Sequence, residues 1–232
     1  MRVDIWSDYN CPWCGIGRRR FLKALERFEH RDQVEVVYHP YLLMPDIPVG
    51  TSEPTSEVLR RRKGMSEAQL AQISNVEKLG VEEGFSSYHL LDNQSGNATL
   101  AHEMTVFAQE NGKGTEFIDA TLNAYFEEKH DIFTVDGLVS LAERVGLNGN
   151  EAFEALNSRR YAQRVVNEMI QASQMGVNGV PFFLFGGKYA ASGAQDPAVL
   201  LRGLQQAWDD RPRPIDIGAS EGGSCDINGN CD

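Results

Sequence analysis

The residues of this chain best equipped for chemistry are Cys11 and Cys14, in the stretch Asn10-Cys11-Pro12-Trp13-Cys14-Gly15. Ahead of them Val3-Asp4-Ile5-Trp6 reads as a short strand, and behind them the pattern turns helical. Two cysteines with two residues between them at a strand–helix junction make a dithiol redox motif, and the same spacing is half of many zinc sites. If Cys11 stands at the helix start, its sulfur faces unpaired N–H groups and the positive end of the helix dipole, which stabilise a thiolate. Cys14, nearly one turn further on, is then within disulfide reach and largely buried. Cys11 attacks a disulfide and Cys14 resolves the mixed disulfide. Pro12 suits the first helical turn, where its missing N–H costs nothing. Pro12 and Trp13 place no charged donor beside the sulfur. A zinc site would have to recruit Cys225 and Cys231, whose offset is wide for a zinc knuckle. The strand and helix flanks favour redox chemistry, so no metal and no cofactor are expected.

A second constellation lies far along the chain, in Gly176-Val177-Asn178-Gly179-Val180-Pro181-Phe182. A proline opening a strand is either an ordinary edge feature or the second half of a cis peptide bond. Together with the two cysteines and the strand pattern that follows, it points to a cis Val180–Pro181 bond facing Cys11. The Val180 backbone could then pair with an extended substrate, and the proline would keep metal-binding side chains from the sulfurs.

The elements that must position these groups are legible from periodicity. Phe21, Leu22, Leu25 and Phe28 form one apolar stripe on the helix after Cys14. Val34, Val36 and Tyr38 alternate with Glu35, Val37 and His39 in a second strand that should run towards Leu42 or Leu43. Strand, helix and strand make a βαβ unit with parallel strands. From Ser52 to Met175 the texture is helical, with about five to seven helices. Ser66 and Gln69 form a capping box ahead of Leu70, Ile73, Val76 and Leu79. Asn97 and Thr134 are further N-caps. Strand texture returns at Phe182 to Phe185, Gly186-Gly187 turns the chain, Lys188 to Ala190 runs back, and Asp196-Pro197 starts a last helix.

The predicted fold class is therefore α/β, with a large all-helical domain inserted between the second and third strands. The divisions are 1–50 with 176–210, the insert 51–175, and a tail 211–232 rich in Pro, Gly, Ser, Asp and Asn that carries Cys225 and Cys231.

With 232 residues and 41% hydrophobic content the chain can bury a core without staples. A formal net charge of −11 argues against nucleic acid as a partner. No apolar run approaches the roughly 20 residues that span a bilayer, and no signal-peptide pattern opens the chain. With Met1 as the native start, the expected location is cytoplasmic, where closely spaced cysteines serve catalysis or metal binding more than stapling.

Several stretches resemble the DsbA family of thioredoxin-like oxidoreductases, in particular its FrnE-like branch. They are Ser7 to Gly17, His39 to Pro45, Asn97 to His102, 176–183 and Ser192-Gly193-Ala194-Gln195, in order over residues 1 to about 208. The resemblance implies a thioredoxin-like fold, Cys11 and Cys14 as the redox pair, Pro181 as a cis-proline, and a helical block walling a substrate groove. The expected function is protein thiol-disulfide exchange or disulfide isomerisation on partly unfolded proteins. Glutathione or a thioredoxin-type protein would be the reductant. The Pro12-Trp13 pair implies a less oxidising site than DsbA's own. Glutathione-dependent isomerases and kappa-class transferases resemble the same frame but typically carry serine in place of Cys11. Two alternatives stand beside exchange: a chaperone-like binder of unfolded chains, and a glutathione-dependent enzyme acting on small molecules.

The remaining candidates have plainer readings. Asn97 and His102 share one helix start and could face the groove, or serve as a cap and a packed histidine. Asp4 and Asp8 flank the first strand; either could relay a proton for Cys14, although alternation leaves Asp4 opposite Val3 and Ile5 and thus open to solvent. Arg18 to Arg20 and Arg60 to Lys63 read as solvated helix faces. Cys225 and Cys231 either form a second redox pair that exchanges with the first or are inert. Asp226, Asn228 and Asn230 echo part of a calcium loop but lack its distal glutamate.

Overall fold

A computed structural model describes residues 1–212. Strand β1 (Arg2–Ser7) leads into helix α1 (Pro12–Glu26), and β2 (Glu35–Pro40) follows. Strands β3 (Ser52–Pro54) and β4 (Gln94–Gly96) pair as a small antiparallel ribbon. Between them lie α2 (Thr55–Lys63), α3 (Glu67–Ala71) and α4 (Ile73–Glu82). Helices α5 (Thr99–Glu110), α6 (Gly114–Glu128), α7 (Val135–Arg144), α8 (Gly149–Asn157) and α9 (Ala162–Gln174) complete the insertion. The chain then returns as β5 (Phe182–Phe185), β6 (Tyr189–Ser192) and α10 (Pro197–Asp209).

The main sheet has the order β2-β1-β5-β6, with β1 and β2 parallel and the other pairs antiparallel. This is the thioredoxin-like arrangement, with the helical insertion between the second and third strands of that sheet. Register decides which side chains share a face. Val3 stands opposite Phe185 and Val36, and Ile5 opposite Phe183 and Tyr38. These side chains pack with Ile16, Phe21 and Ala24 of α1 and with Leu200 and Leu204 of α10. Asp4 and Trp6 point to the other face, beside His39, Phe182 and Leu184. The main buried cluster continues from the sheet into α5, α6 and α7 without a break.

The local signals for helix ends are realised with some shifts. Ser66 and Gln69 form the reciprocal capping box, Thr134 accepts from Gly137 N–H, and Asp196 accepts from Ala198 N–H ahead of Pro197. Asn97 does not occupy the cap position of α5. Its Oδ1 accepts from the N–H and hydroxyl of Thr99, and Ala98 stands at the cap. Strand β2 stops at Pro40, short of Leu42, because proline has no N–H to continue the ladder. Among the described residues the insertion holds eight helices, more than the periodicity predicts. The single-turn α3 breaks from α4 at Gln72, where the apolar spacing alone suggests one helix. The β3–β4 ribbon carries no alternating apolar signal to announce it. Among the described residues no helix is long and apolar enough to cross a membrane.

Arg18 corrects the expectation of a solvated basic run. It is buried, its guanidinium paired with both carboxylate oxygens of Asp119 and bonded to the Tyr38 hydroxyl. Arg20 pairs with Glu83, the residue that caps the end of α4, and Arg19 donates to Asn123 of α6, so this face of α1 is an internal seam. Arg60 to Lys63 are exposed as expected, Arg60 to Arg62 pairing with Glu53, Glu57 and Glu67.

Candidate active site

Cys11 is the N-cap residue of α1, in extended conformation, with Pro12 opening the helix behind it. Its backbone N–H donates to Asp8 O, and Cys14 N–H donates to Cys11 O, so a tight turn delivers both sulfurs to the helix start. Both cysteines are free thiols; Cys11 is 5% exposed and Cys14 lies deeper. Burial, and then the hydrogen bond and charge of Cys11, push the Cys14 thiol well above its ordinary pKa. Donors from the Ser7 side chain and the Asp8 backbone oppose that shift without cancelling it. Cys14 therefore keeps its proton and directs it at Cys11.

The Val180–Pro181 peptide bond is cis, and Cys11 Sγ lies 3.5 Å from the Val180 carbonyl oxygen. Gly17 lets this segment approach α1: a Cβ there would meet Pro181 Cγ at 2.8 Å. Gly15 has a parallel task. Its missing Cβ would lie 2.6 Å from the hydroxyl of Tyr88, which donates to Pro12 O at 2.5 Å. Gly80 of α4 clears the other side of the same tyrosine, since a Cβ there would be 2.2 Å from its ring. Tyr88 is buried and stacked on Phe126. Burial, followed by the nearby Cys11 and Cys14 charges, pushes its pKa well up, so it stays a donor.

Asn10 ties the same loop to the insertion. It donates to Gly96 O at 2.9 Å and accepts from Gly96 N–H at 3.1 Å. Tyr88 and Asn10 are positioning residues that sequence reasoning passes over. The glycines after Cys14 were the available signal, since a helix carrying two glycines in its first turns invites close approach.

Asp4 and Asp8 part company. Asp8 is fully buried beside the dithiol. Its Oδ1 accepts from Asn10 N–H and Asn10 Nδ2, and its Oδ2 accepts from Leu43 N–H at 2.5 Å. Burial, against the hydrogen bonds from Asn10 and Leu43, pushes its pKa up to about 6. Asp4 is not solvated, contrary to the strand-alternation expectation. It is on the expected face, but α9 covers that face, and Asp4 bonds to His39 and Arg2.

Asn97 and His102 are both buried and neither lines a groove. Asn97 donates to Ile47 O at 2.8 Å, and His102 Nε2 lies 3.1 Å from Tyr41 O. Burial, only partly offset by the Tyr41 carbonyl, lowers the His102 pKa to about 4, so the ring is neutral. The packed-histidine alternative fits this geometry.

A cavity of about 330 Å³ opens beside the dithiol. Pro12 and Trp13 form one wall, and Leu59, Met65, Ile73 and Val76 of the insertion face them. Asn10, Ser95 and Tyr125 add polar groups. Trp13 is 42% exposed at its edge, an apolar ring left uncovered next to Cys11. Among the described residues no group of three or more His, Cys, Asp or Glu is arranged to hold a metal ion. Cys225 and Cys231, the candidates for a second pair, lie outside the described residues.

Comparison with known proteins agrees with this architecture. The sequence is 30% identical over 188 residues to the uncharacterized protein YwbO of Bacillus subtilis, covering 80% of this chain and 87% of that one. The fold matches the crystal structure of a probable DsbA oxidoreductase from Streptomyces coelicolor with a TM-score of 0.86 and 35% identity, covering 100% of this chain and 98% of the other. At 17% identity and a TM-score of 0.59, the cytosolic disulfide reductase DsbM from Pseudomonas aeruginosa, solved with GSH, shares the fold over 90% of this chain and 100% of its own. The description DSBA-like thioredoxin domain matches residues 2–205, nearly the whole described chain, and the protein belongs to that family.

Proposed function

We propose that this chain is a protein thiol-disulfide oxidoreductase, able to act as a disulfide isomerase, working through Cys11 and Cys14. The observation that carries this reading is the seat of Cys11: a helix N-cap sulfur, 3.5 Å from the Val180 carbonyl, with a protonated Cys14 thiol behind it. The Cys11 thiolate attacks one sulfur of a substrate disulfide, forming a mixed disulfide and releasing the other as a thiolate. Cys14 gives up its proton and attacks Cys11 sulfur, so that the second substrate thiol leaves and Cys11–Cys14 closes as a disulfide. Two electrons pass to the substrate, and glutathione or a thioredoxin-type protein returns them to the enzyme. The backbone of Val180 pairs with the substrate chain, and the cavity beside Trp13 receives an apolar neighbour of the substrate cysteine.

The size of that cavity also suits a small molecule, which keeps a glutathione-dependent isomerase or transferase as the second reading. Insulin reduction and reactivation of a scrambled protein separate the two. Cys11→Ser is expected to abolish both activities, and Cys14→Ser to accumulate the mixed disulfide on Cys11. Turnover of a small electrophile with glutathione that survives Cys11→Ser, without protein disulfide activity in the wild type, would favour the second reading. Holding of unfolded chains undiminished by Cys11→Ser, again without exchange in the wild type, would instead mark a chaperone-like binder. The couple's potential then ranks its direction: about −270 mV indicates a reductase and about −180 mV an isomerase.

A further inference from the structure

Three residues far apart in the chain meet on the sheet face beneath α9. His39 Nε2 lies 2.7 Å from Asp4 Oδ1, and His39 Nδ1 lies 3.0 Å from Glu168 Oε2. A neutral imidazole has a single N–H and can donate to only one carboxylate, so two ionised acceptors call for both nitrogens protonated. Burial opposes that charge, but the bonds and charges of Asp4 and Glu168 outweigh it and raise the His39 pKa above 6.5. The pKa values of Asp4 and Glu168 are lowered, again in spite of burial.

The other charged groups around the ring are accounted for. Arg2 of β1 bonds to Asp4 and reaches 3.5 Å from His39 Nε2. Arg164 of α9 bonds to Glu168 and to Glu110 of α5. Neutral His102 of α5 feels the Glu168 charge. The imidazole stacks on Trp6, with centroids 4.7 Å apart.

This bridge matters because α9 has few other anchors. Val165 and Ala172 are its only buried residues. Past its end the chain runs through Gly176, at φ 80°, and Val177 to Val180, whose carbonyl meets Cys11. Trp6, Ala172 and Val177 form a buried cluster of their own, and Val180 and Phe182 pack against it. A movement of α9 therefore reaches Val180 through side chains already in contact.

We propose that His39 is a positioning residue for disulfide exchange: as an imidazolium between Asp4 and Glu168 it seats α9 and thereby holds the Val180 carbonyl against Cys11. Loss of its proton leaves the ring one N–H for two carboxylates. Arg2 still bonds to Asp4 and Arg164 to Glu168, but one half of the bridge between the sheet and α9 is lost, which loosens α9. The folded chain binds this proton more tightly than the unfolded one. The seating is thus complete below pH 6.5 and is lost as pH rises through the raised value of the folded state. The rate effect rests on Cys11 as the nucleophile, whereas the link from His39 to Val180 does not.

The test uses the full chain in its Cys11–Cys14 disulfide form, in which neither active-site thiol titrates, with NMR signals of the His39 ring and the Val180 amide followed against pH. The two are expected to titrate together, with the Val180 step absent in His39→Gln and moved to lower pH in Glu168→Gln. In a parallel assay of the reduced enzyme, His39→Gln is expected to lower kcat/KM for a peptide disulfide about fivefold or more at pH 6. That gap should close as pH rises through the His39 step. A Val180 profile identical in wild type and both variants overturns the proposal, and so does a rate gap constant across pH. If the wild type exchanges no disulfides, the functional reading fails while the NMR comparison still decides the coupling. If His39→Gln does not fold, Glu168→Gln decides both measurements through the shift of the step.

Discussion

On one face of the four-stranded sheet Val3, Ile5, Phe183 and Phe185 are buried against α1 and α10; on the other, Asp4, Trp6 and His39 lie under α9. The first face is held by apolar area. Each fully buried large side chain there contributes about 1.5–3 kcal/mol, with little dependence on pH. Helix α9 buries only Val165 and Ala172, so a hydrogen bond to a charged group, about 1.5–3 kcal/mol, is as large as its apolar anchoring. The contrast teaches that one face secures the fold and the other sets a position. Val180–Pro181 is where the two meet: Gly17 admits Pro181 from the α1 side, and Val180 packs on the cluster beneath α9.

Substitutions on the two faces should therefore differ in kind. The largest effect is expected for Phe183→Ala, which empties a fully buried site between Phe21 and Phe185. It should cost about 3–5 kcal/mol in urea unfolding, by the same amount at pH 6 and pH 8.5. A cost that changed between those two pH values would break the contrast between the faces. Gly17→Ala comes next. The added methyl must displace Pro181, which overpacking predicts to cost about 1–3 kcal/mol. Its kcat/KM for disulfide exchange should fall at every pH, unlike the pH-bound loss expected for His39→Gln. An exchange rate equal to wild type would show that the Pro181 approach does not matter to the chemistry.

The last effect, a slope with pH and not a fixed loss, concerns the two acids of the first strand region. Asp4 is held low by His39 and Arg2 in spite of burial, and Asp8 is pushed up to about 6 by burial. Folded Asp8 keeps a proton that the unfolded chain releases near 3.8, so its contribution to stability falls as pH rises from 3.8 through about 6. Asp8→Asn removes that slope. Urea unfolding of wild type and variant at pH 4 and pH 6.5 should show the variant gaining relative to wild type as pH rises. An unchanged difference would mean that Asp8 does not titrate in this range.

Much of the site was legible from one dimension because its parts are local. Cys11, Pro12 and Cys14 sit within one helical turn, and the capping box at Ser66, the cap at Thr134 and the Gly186-Gly187 turn are each set by neighbouring backbone. Alternation likewise separated Asp4 from Val3 and Ile5. What alternation could not supply is the identity of the cover on the second face. Asp4, His39 and Glu168 are separated by 35 and 129 residues, and solvent or a helix over that face leaves the same pattern in the strand. Arg18 was misread for the same reason, since a charged residue on a helix looks solvated until Asp119 arrives from 101 residues away.

By itself, then, the sequence determined the dithiol at a helix start, the βαβ and ββα halves of the sheet, and the helical texture between them. All of these follow from periodicity and caps, whose range is a few residues. Only the tertiary structure decided that Tyr88 would close on Pro12 between Gly15 and Gly80, while the approach of Val180 to Cys11, already expected from the sequence, took its distance from the fold. It alone decided that His39 would join two carboxylates under α9. Those contacts depend on how the insertion folds back onto the sheet, and packing of that kind is set by the whole set of buried faces at once, with no local pattern to report it.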